Sequence, residues 1–217
     1  MSNSDSAPRA VSAGRAWIDG YLLPHLQRRF PGAERLACLQ LAPDDATEAE
    51  RLRELGHTCE MVDITEKPLL AAADASYDFI FTGRFPLLAR DFETRVLLAG
   101  ELFRVLRKGG SLLLALGNRF CPLDLSRNGG LIHGPRATTC LSLSEANEIL
   151  VKQARFTALV PLQVAGHFGW NSLPAPIRPL GRVLDFFWRH VTTPSRRWLY
   201  GSPLNPTLLL WLNKDSL

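Results

Sequence analysis

Lysine is scarce in this chain: of 25 basic residues only Lys67, Lys108, Lys152 and Lys214 are lysines, the rest being arginine. Against 21 acidic residues this leaves a formal charge of +4. Such a weak excess, spread along the chain, fits a solvated surface better than a nucleic-acid footprint, and no RNA or DNA motif accompanies it. Cysteine is sparse too. Cys38, Cys59, Cys121 and Cys140 are too far apart for zinc-type pairs and too few to staple 217 residues, so reduced, partly buried thiols and no metal site are expected. No apolar run approaches the roughly twenty residues that span a bilayer. Residues Met1 to Gly14 lack the basic end and apolar stretch of a signal peptide, and their small polar composition predicts a flexible tail. A soluble, cytoplasmic protein is expected. What the chain does have is a 46% hydrophobic composition, enough for one α/β core, so residues 15–217 are expected to form a single domain.

The stretch from Tyr77 to Asn118 organises the rest. Phe79 to Phe81 is a β-prone run without alternation, as in a strand covered on both faces. Asp91 is a good N-cap for a following helix in which Phe92, Val96, Ala99, Phe103 and Leu106 recur at spacings of three and four, predicting one apolar stripe. Arg107 and Lys108 suit a helix C-terminus, and Gly109 can take the left-handed conformation that ends it. Ser111 to Leu116 then reads as a second buried strand. Two strands joined in this way are parallel, and their ligands bind beyond the strand C-termini. That puts Thr82-Gly83-Arg84 and Gly117-Asn118-Arg119 at one edge.

The pattern Ala-Ser-Tyr-Asp-Phe-Ile-Phe followed by Glu-Leu-Phe-Arg-Val-Leu-Arg-Lys-Gly-Gly-Ser-Leu-Leu-Leu (residues 75–81 and 101–114) resembles the fourth strand, following helix and fifth strand of class I S-adenosylmethionine-dependent methyltransferases, of the type 11-like kind. The resemblance covers roughly residues 36–164 and the final strand. It implies a Rossmann-like α/β fold: a mostly parallel, seven-strand-type sheet flanked by helices, with an antiparallel last strand slotted inward. It also implies S-adenosylmethionine as cofactor and methyl transfer to a small-molecule or glycan/lipid-linked acceptor.

Leu36 to Leu41 reads as the first strand, Glu48 to Leu55 as a helix and Thr58 to Val62 as the second strand, ending at Asp63. A carboxylate there accepts hydrogen bonds from ribose hydroxyls in nucleotide-binding α/β domains, and Gly56-His57-Thr58-Cys59-Glu60-Met61-Val62-Asp63 fits the family's version of the pattern. The turn after the first strand departs from the family. Gln40-Leu41-Ala42-Pro43-Asp44-Asp45-Ala46-Thr47 holds no glycine, although glycine lets backbone approach a ligand and take positive φ. The turn therefore either binds in an altered way or has lost the cofactor, and Asp44 or Asp45 reads best as a helix cap. The resemblance implies that the backbone of Gln40, Leu41 and Ala42 faces the cofactor's amino-acid end and that Thr82, Gly83 and Arg84 line the floor. Only about fifteen residues separate Asp63 from Phe79, so the family's third strand, for which Leu69 to Ala73 is the candidate, is short or absent. Asp74 is the one acid available near the adenine.

Past the fifth strand, residues 118–135 form a long polar segment at the edge where chemistry is expected. His133 is a candidate general base, since imidazole titrates near neutral pH. Asn118, Arg119 and Arg127 are candidates for substrate contact, the arginines alternatively holding the loop through backbone carbonyls. Ser142-Leu143-Ser144-Glu145 is a capping box for a helix that turns Ala146, Ile149, Leu150 and Gln153-Ala154 inward. Phe156 to Val164 and Thr207 to Leu212 read as the last two strands. From Arg15 to Phe30 an amphipathic helix, broken or kinked by Pro24, is expected to pack on the sheet or serve as a lid. The insertion of about 165–206 is rich in aromatics and arginines; it reads as a helical cover over the substrate pocket, as a peripheral membrane or lipid-linked-substrate contact through 177–200, or as a subunit interface. Two readings of the whole remain: a methyltransferase, or a catalytically silent methyltransferase-like binding or scaffold protein.

Overall fold

The computed structural model describes residues 19, 22–41, 46–63, 69–82, 91–119, 140–162, 179, 183 and 207–215. Strand β1 (Ala37–Leu41), helix α2 (Thr47–Glu54) and β2 (Thr58–Val62) follow the short helix α1 (Leu23–Arg29). Then come β3 (Tyr77–Thr82), α3 (Phe92–Val105), β4 (Leu106–Asn118), the two-residue β5 (Cys140–Leu141), α4 (Leu143–Asn147) continued as a π-helical turn over Glu148–Gln153, β6 (Ala158–Leu162) and β7 (Thr207–Asn213). The sheet order is β2-β1-β3-β4-β7-β6, with β5 paired to the tip of β4. Strands β2, β1, β3 and β4 are mutually parallel. Strand β7 runs antiparallel between β4 and β6. A parallel body closed by an antiparallel pair with the last strand slotted inward is the Rossmann-like methyltransferase fold.

Alternation along the central strands builds a core on each face. Leu112, Leu114 and Leu116 join Leu39, Leu41, Leu210 and Leu212 under α3 and the π-helical turn. Leu113 and Ala115 join Cys38, Phe79, Phe81 and Trp211 under α1 and α2. Both faces are covered, so these strands lack the polar alternation of a half-exposed sheet.

Several local expectations are corrected. Of the expected stripe on α3, Ala99 and Leu106 are buried and Val96 and Phe103 pack against the core, but Phe92 is 50% exposed, and the buried face is wider, taking in Arg95, Leu98, Leu102 and Val105. The helix is apolar on more than one side, so spacing alone does not choose the inward face; the sheet does. Asp91 caps it as expected, accepting from the Thr94 amide at 2.8 Å. Gly109 does not end this helix. Chain direction changes at Leu106, already extended, and Gly109 (φ +80°) lies in the irregularity where the register passes from Tyr77↔Leu106 to Phe79↔Ser111. The helix end is closed from a distance: Lys214 Nζ donates to the Phe103 and Leu106 carbonyls at 2.6 and 2.7 Å. Helix α1 begins at Leu23 with Pro24 in its first turn, where no donor is needed from it, and Leu22 just before it is π-helical. Leu22 and Leu26 pack on the sheet. Trp17, Ile18 and Tyr21 lie outside the described residues, as do the tail 1–14 and, apart from the exposed helical residues Pro179 and Val183, the 165–206 insertion. The sixth strand starts later than expected, at Ala158 rather than Phe156, its expected last residues 163–164 lie outside the described residues, and Gln153 is exposed.

Leu69 to Ala73 forms no strand. The crossover from β2 to β3 is instead bound to α3 by the Arg104 guanidinium, which donates to the Leu70 and Ala72 carbonyls, to Asp74 and twice to Glu101. Glu101 in turn accepts from the Leu70 amide. Side-chain bonds replace the ladder a strand would have made.

Candidate functional site

The C-terminal edge of the parallel strands carries Gln40 and Leu41 at the end of β1, Asp63 just past β2, and Thr82 closing β3. The registers Leu41↔Val62, Gln40↔Phe81 and Thr82↔Leu114 hold them level. Strand β4 continues further, pairing with β5 through Gly117 and Asn118. Asp63 is exposed, whereas Leu41, Thr82 and Asn118 are buried. Four expected residues, Gln40, Leu41, Asp63 and Thr82, thus meet at one edge, with Asn118 and Arg119 at the tip of the neighbouring strand. Ala42, Gly83, Arg84, Arg127 and His133 lie outside the described residues.

Gln40 is 3% exposed, and its side chain is held by α2: Nε2 donates to Glu48 Oε2 at 3.0 Å. Among the described residues its buried Oε1 has no hydrogen-bond partner, an unsatisfied acceptor two residues before the glycine-free turn. Ala46 stands at the N-cap of α2, and Asp44 and Asp45, the expected caps, lie outside the described residues. Glu48 sits in the first turn of α2, where negative charge favours the helix dipole.

On the β4 side, Arg119 ion-pairs with Glu145, and residues 120–135 of the loop it was expected to hold lie outside the described residues. Glu145 also accepts from the Ser142 amide and hydroxyl, completing the expected capping box. Burial pushes the Glu145 carboxyl up, but these bonds and the Arg119 charge outweigh it, so it titrates below the usual glutamate range. Asp74, the candidate adenine acid, is bound to Arg104 at 2.6 Å. That bond ties this part of the crossover to α3.

The sequence reading missed Arg95. It is 9% exposed on the inner face of α3. Burial pulls its guanidinium pKa down and nearby Arg119 adds to this, while Glu145 and Asp91 act the other way. The signal was present, since Arg95 lies three and four residues before Leu98 and Ala99, but an arginine on that side looks like a break in the apolar face rather than part of it.

Cys38 and Cys59 stand opposite each other on β1 and β2, buried and free of disulfide bonds. Burial raises both thiols, Cys59 to about 11, so neither is nucleophilic at neutral pH. Among the described residues no helix is long and apolar enough to cross a membrane, and no group of three His, Cys, Asp or Glu is placed to hold a metal. A pocket of about 270 Å³ does occur, but among the N-terminal halves of β1 to β3, away from this edge.

No family model matches the chain, and no curated protein matches it. Among solved structures it is similar to an S-adenosylmethionine-dependent methyltransferase from Mesorhizobium loti, at 13% identity over 87% of this chain and 95% of that one, with a TM-score of 0.46. It is also similar to phosphoethanolamine N-methyltransferase 2 of Haemonchus contortus, in complex with phosphomonomethylethanolamine and S-adenosylhomocysteine, at 14% identity over 99% and 59% of the two chains and a TM-score of 0.48. A third is the 16S rRNA N2 G1207 methyltransferase of T. thermophilus in complex with AdoMet and guanosine, at 16% identity over 86% and 36%, with a TM-score of 0.43. The strand order by itself defines a methyltransferase-type Rossmann-like domain.

Proposed function

We propose that the chain is an S-adenosylmethionine-dependent methyltransferase acting on a small-molecule or glycan/lipid-linked acceptor. The observation that carries this reading is the strand order, with its antiparallel insertion of β7, together with an exposed carboxylate at the end of β2 level with the ends of β1 and β3. The residues are chemically suited to the cofactor at two points. Asp63 offers acceptor oxygens to ribose hydroxyls, and the unsatisfied Gln40 Oε1 suits a donor group at the end of β1.

When bound, the cofactor supplies an activated methyl group on a sulfonium centre. The chain's own residues hold and orient. Asp63 fixes the ribose end, and the Gln40–Leu41 backbone faces the amino-acid end. Thr82 lines the floor. Arg119, oriented by Glu145, and Asn118 stand on the acceptor side. His133 is the candidate to remove the acceptor proton. Positioning reactants in line accounts for most of what such a site needs to do.

The glycine-free turn favours a second reading, a silent binding or scaffold protein of the same fold. Calorimetry with S-adenosylmethionine and S-adenosylhomocysteine separates the two. Binding of either ligand supports the enzyme, and well-folded protein that shows neither heat nor thermal shift removes it. Given binding, Asp63→Ala weakens it by about tenfold or more, as expected on losing a charge-assisted hydrogen-bond acceptor. An unchanged affinity rejects the ribose role. Contact of 177–200 with a membrane is tested by co-sedimentation with anionic vesicles, where absence of binding discards it.

A further inference from the structure

The pocket of about 270 Å³ lies between the sheet and the described part of the crossover, residues 69–76. Ala37, Cys38, Thr58, Glu60 and Tyr77 line it from the strands, and Ala72, Ala73 and Ser76 line it from the crossover; the Cys38 thiol is directed to the Leu36 carbonyl. These are positions near the starts of β1, β2 and β3, so the pocket is separate from the edge described above.

Its hydrogen-bonding character is one-sided. Tyr77 Oη donates to Glu60 Oε2 at 2.6 Å, Thr58 Oγ1 to the Leu36 carbonyl at 3.1 Å, and Ser76 Oγ to the Ala73 carbonyl at 2.7 Å. A hydroxyl has one hydrogen to give, so every side-chain hydroxyl hydrogen of the pocket is already committed. What remains is acceptor capacity: hydroxyl lone pairs and the Glu60 carboxylate. Among the described residues that line it none is basic, and Glu60 is the only charged one. This lining suits a ligand that brings donors and positive charge. The volume is below the roughly 300–1,000 Å³ of pockets for drug-sized molecules, and the small side chains of Ala37, Ala72 and Ala73 leave room only for a short apolar stem.

We propose that this pocket binds a small organic ammonium ion, its N–H groups on the Glu60 carboxylate and its stem against the alanines. The site is independent of cofactor binding at the opposite edge. Tyr77 reports on it, because its hydroxyl shares the carboxylate the ligand would take.

The test uses the full chain labelled with ring-¹³C tyrosine, which gives only three residues to observe, Tyr21, Tyr77 and Tyr200. The Tyr77 signal is assigned by its loss in Tyr77→Phe. Titration with ethylammonium chloride is compared with sodium chloride at equal ionic strength. The expected result is a saturable shift of Tyr77 with ethylammonium alone, weakened about tenfold or more in Glu60→Gln, which keeps an acceptor for the phenol. Ala73→Leu, at an exposed crossover position, fills the pocket with Glu60 in place and should abolish the shift. The proposal is overturned if wild-type protein shows no saturable shift, if sodium chloride reproduces it, or if both variants respond as wild type does.

Discussion

Lys214 is the sharpest point at which to test how this fold is held. Its ammonium closes the C-terminal end of α3 through the Phe103 and Leu106 carbonyls, at 2.6 and 2.7 Å, and lies 4.5 Å from the centre of the Phe103 ring. Its backbone independently pairs with Gly109 and Gly110. Lys214→Met keeps those backbone bonds and the apolar stem but removes the donor. A hydrogen bond to a charged group is worth about 1.5–3 kcal/mol, and an exposed cation over a ring about 0.5–1 kcal/mol. Two effects reduce the sum. Burial holds the Lys214 pKa below its ordinary value, so the charged form is already disfavoured, and the side chain is only half-buried, so water can reach the released carbonyls. We expect a net loss of about 2 kcal/mol, with the two bonds not additive. For a chain of this size that is a fall in melting temperature of about 4–8 °C, or about 1 M in urea midpoint. Urea unfolding followed by tryptophan fluorescence measures it. A loss below about 0.5 kcal/mol, the range of ordinary surface substitutions, would refute the idea that the last strand caps α3.

Gly110→Ala should destabilise by about 1–3 kcal/mol, an overpacking cost, because a Cβ there would lie 2.8 Å from the Arg107 carbonyl oxygen and 2.9 Å from that of Asp78; wild-type stability would show that the β4 irregularity can shift. Ser142→Ala should cost about 1 kcal/mol by removing the cap of α4, and an unaltered melting temperature would mean that Glu145 alone holds the turn. Glu101 is kept below its ordinary value of 4.5 chiefly by its bonds to Arg104. A carboxyl depressed by folding stabilises above its unfolded pKa and loses that contribution as pH falls through the folded one. Glu101→Gln should therefore flatten the decline of stability below about pH 4.5; a parallel decline in wild type and variant would remove Glu101 from the acid transition.

The pattern in the sequence was enough for elements whose signals are local. Asp91 and Ser142 place helix starts because a short acceptor three residues before an amide can reach it whatever lies elsewhere. The strand Thr58–Val62 appears within its expected bounds, because a β-branched residue after a glycine-terminated helix leaves few alternatives. The antiparallel insertion of β7 agrees with what the family resemblance implied. Local pattern failed where more than one surface of an element was apolar. For α3, Phe92 and Leu98 both satisfy helical spacing, and only the sheet beneath determines which face is inward.

The candidate site divides in the same way. Sequence alone determined that Gln40, Asp63 and Thr82 end strands, and that parallel strands bring such ends to a common edge, since direction and spacing fix that. Only the tertiary structure decided the rest, because it depends on groups far apart in the chain. Glu48 takes the Gln40 amide and leaves its oxygen unsatisfied. Arg104 and Glu101 bind the crossover where no ladder forms. Arg95 is carried into the interior by the sheet's choice of helix face. The absence of glycine after β1 was visible from the first, but the Gln40–Glu48 arrangement behind that turn exists only once β1 and α2 are packed together.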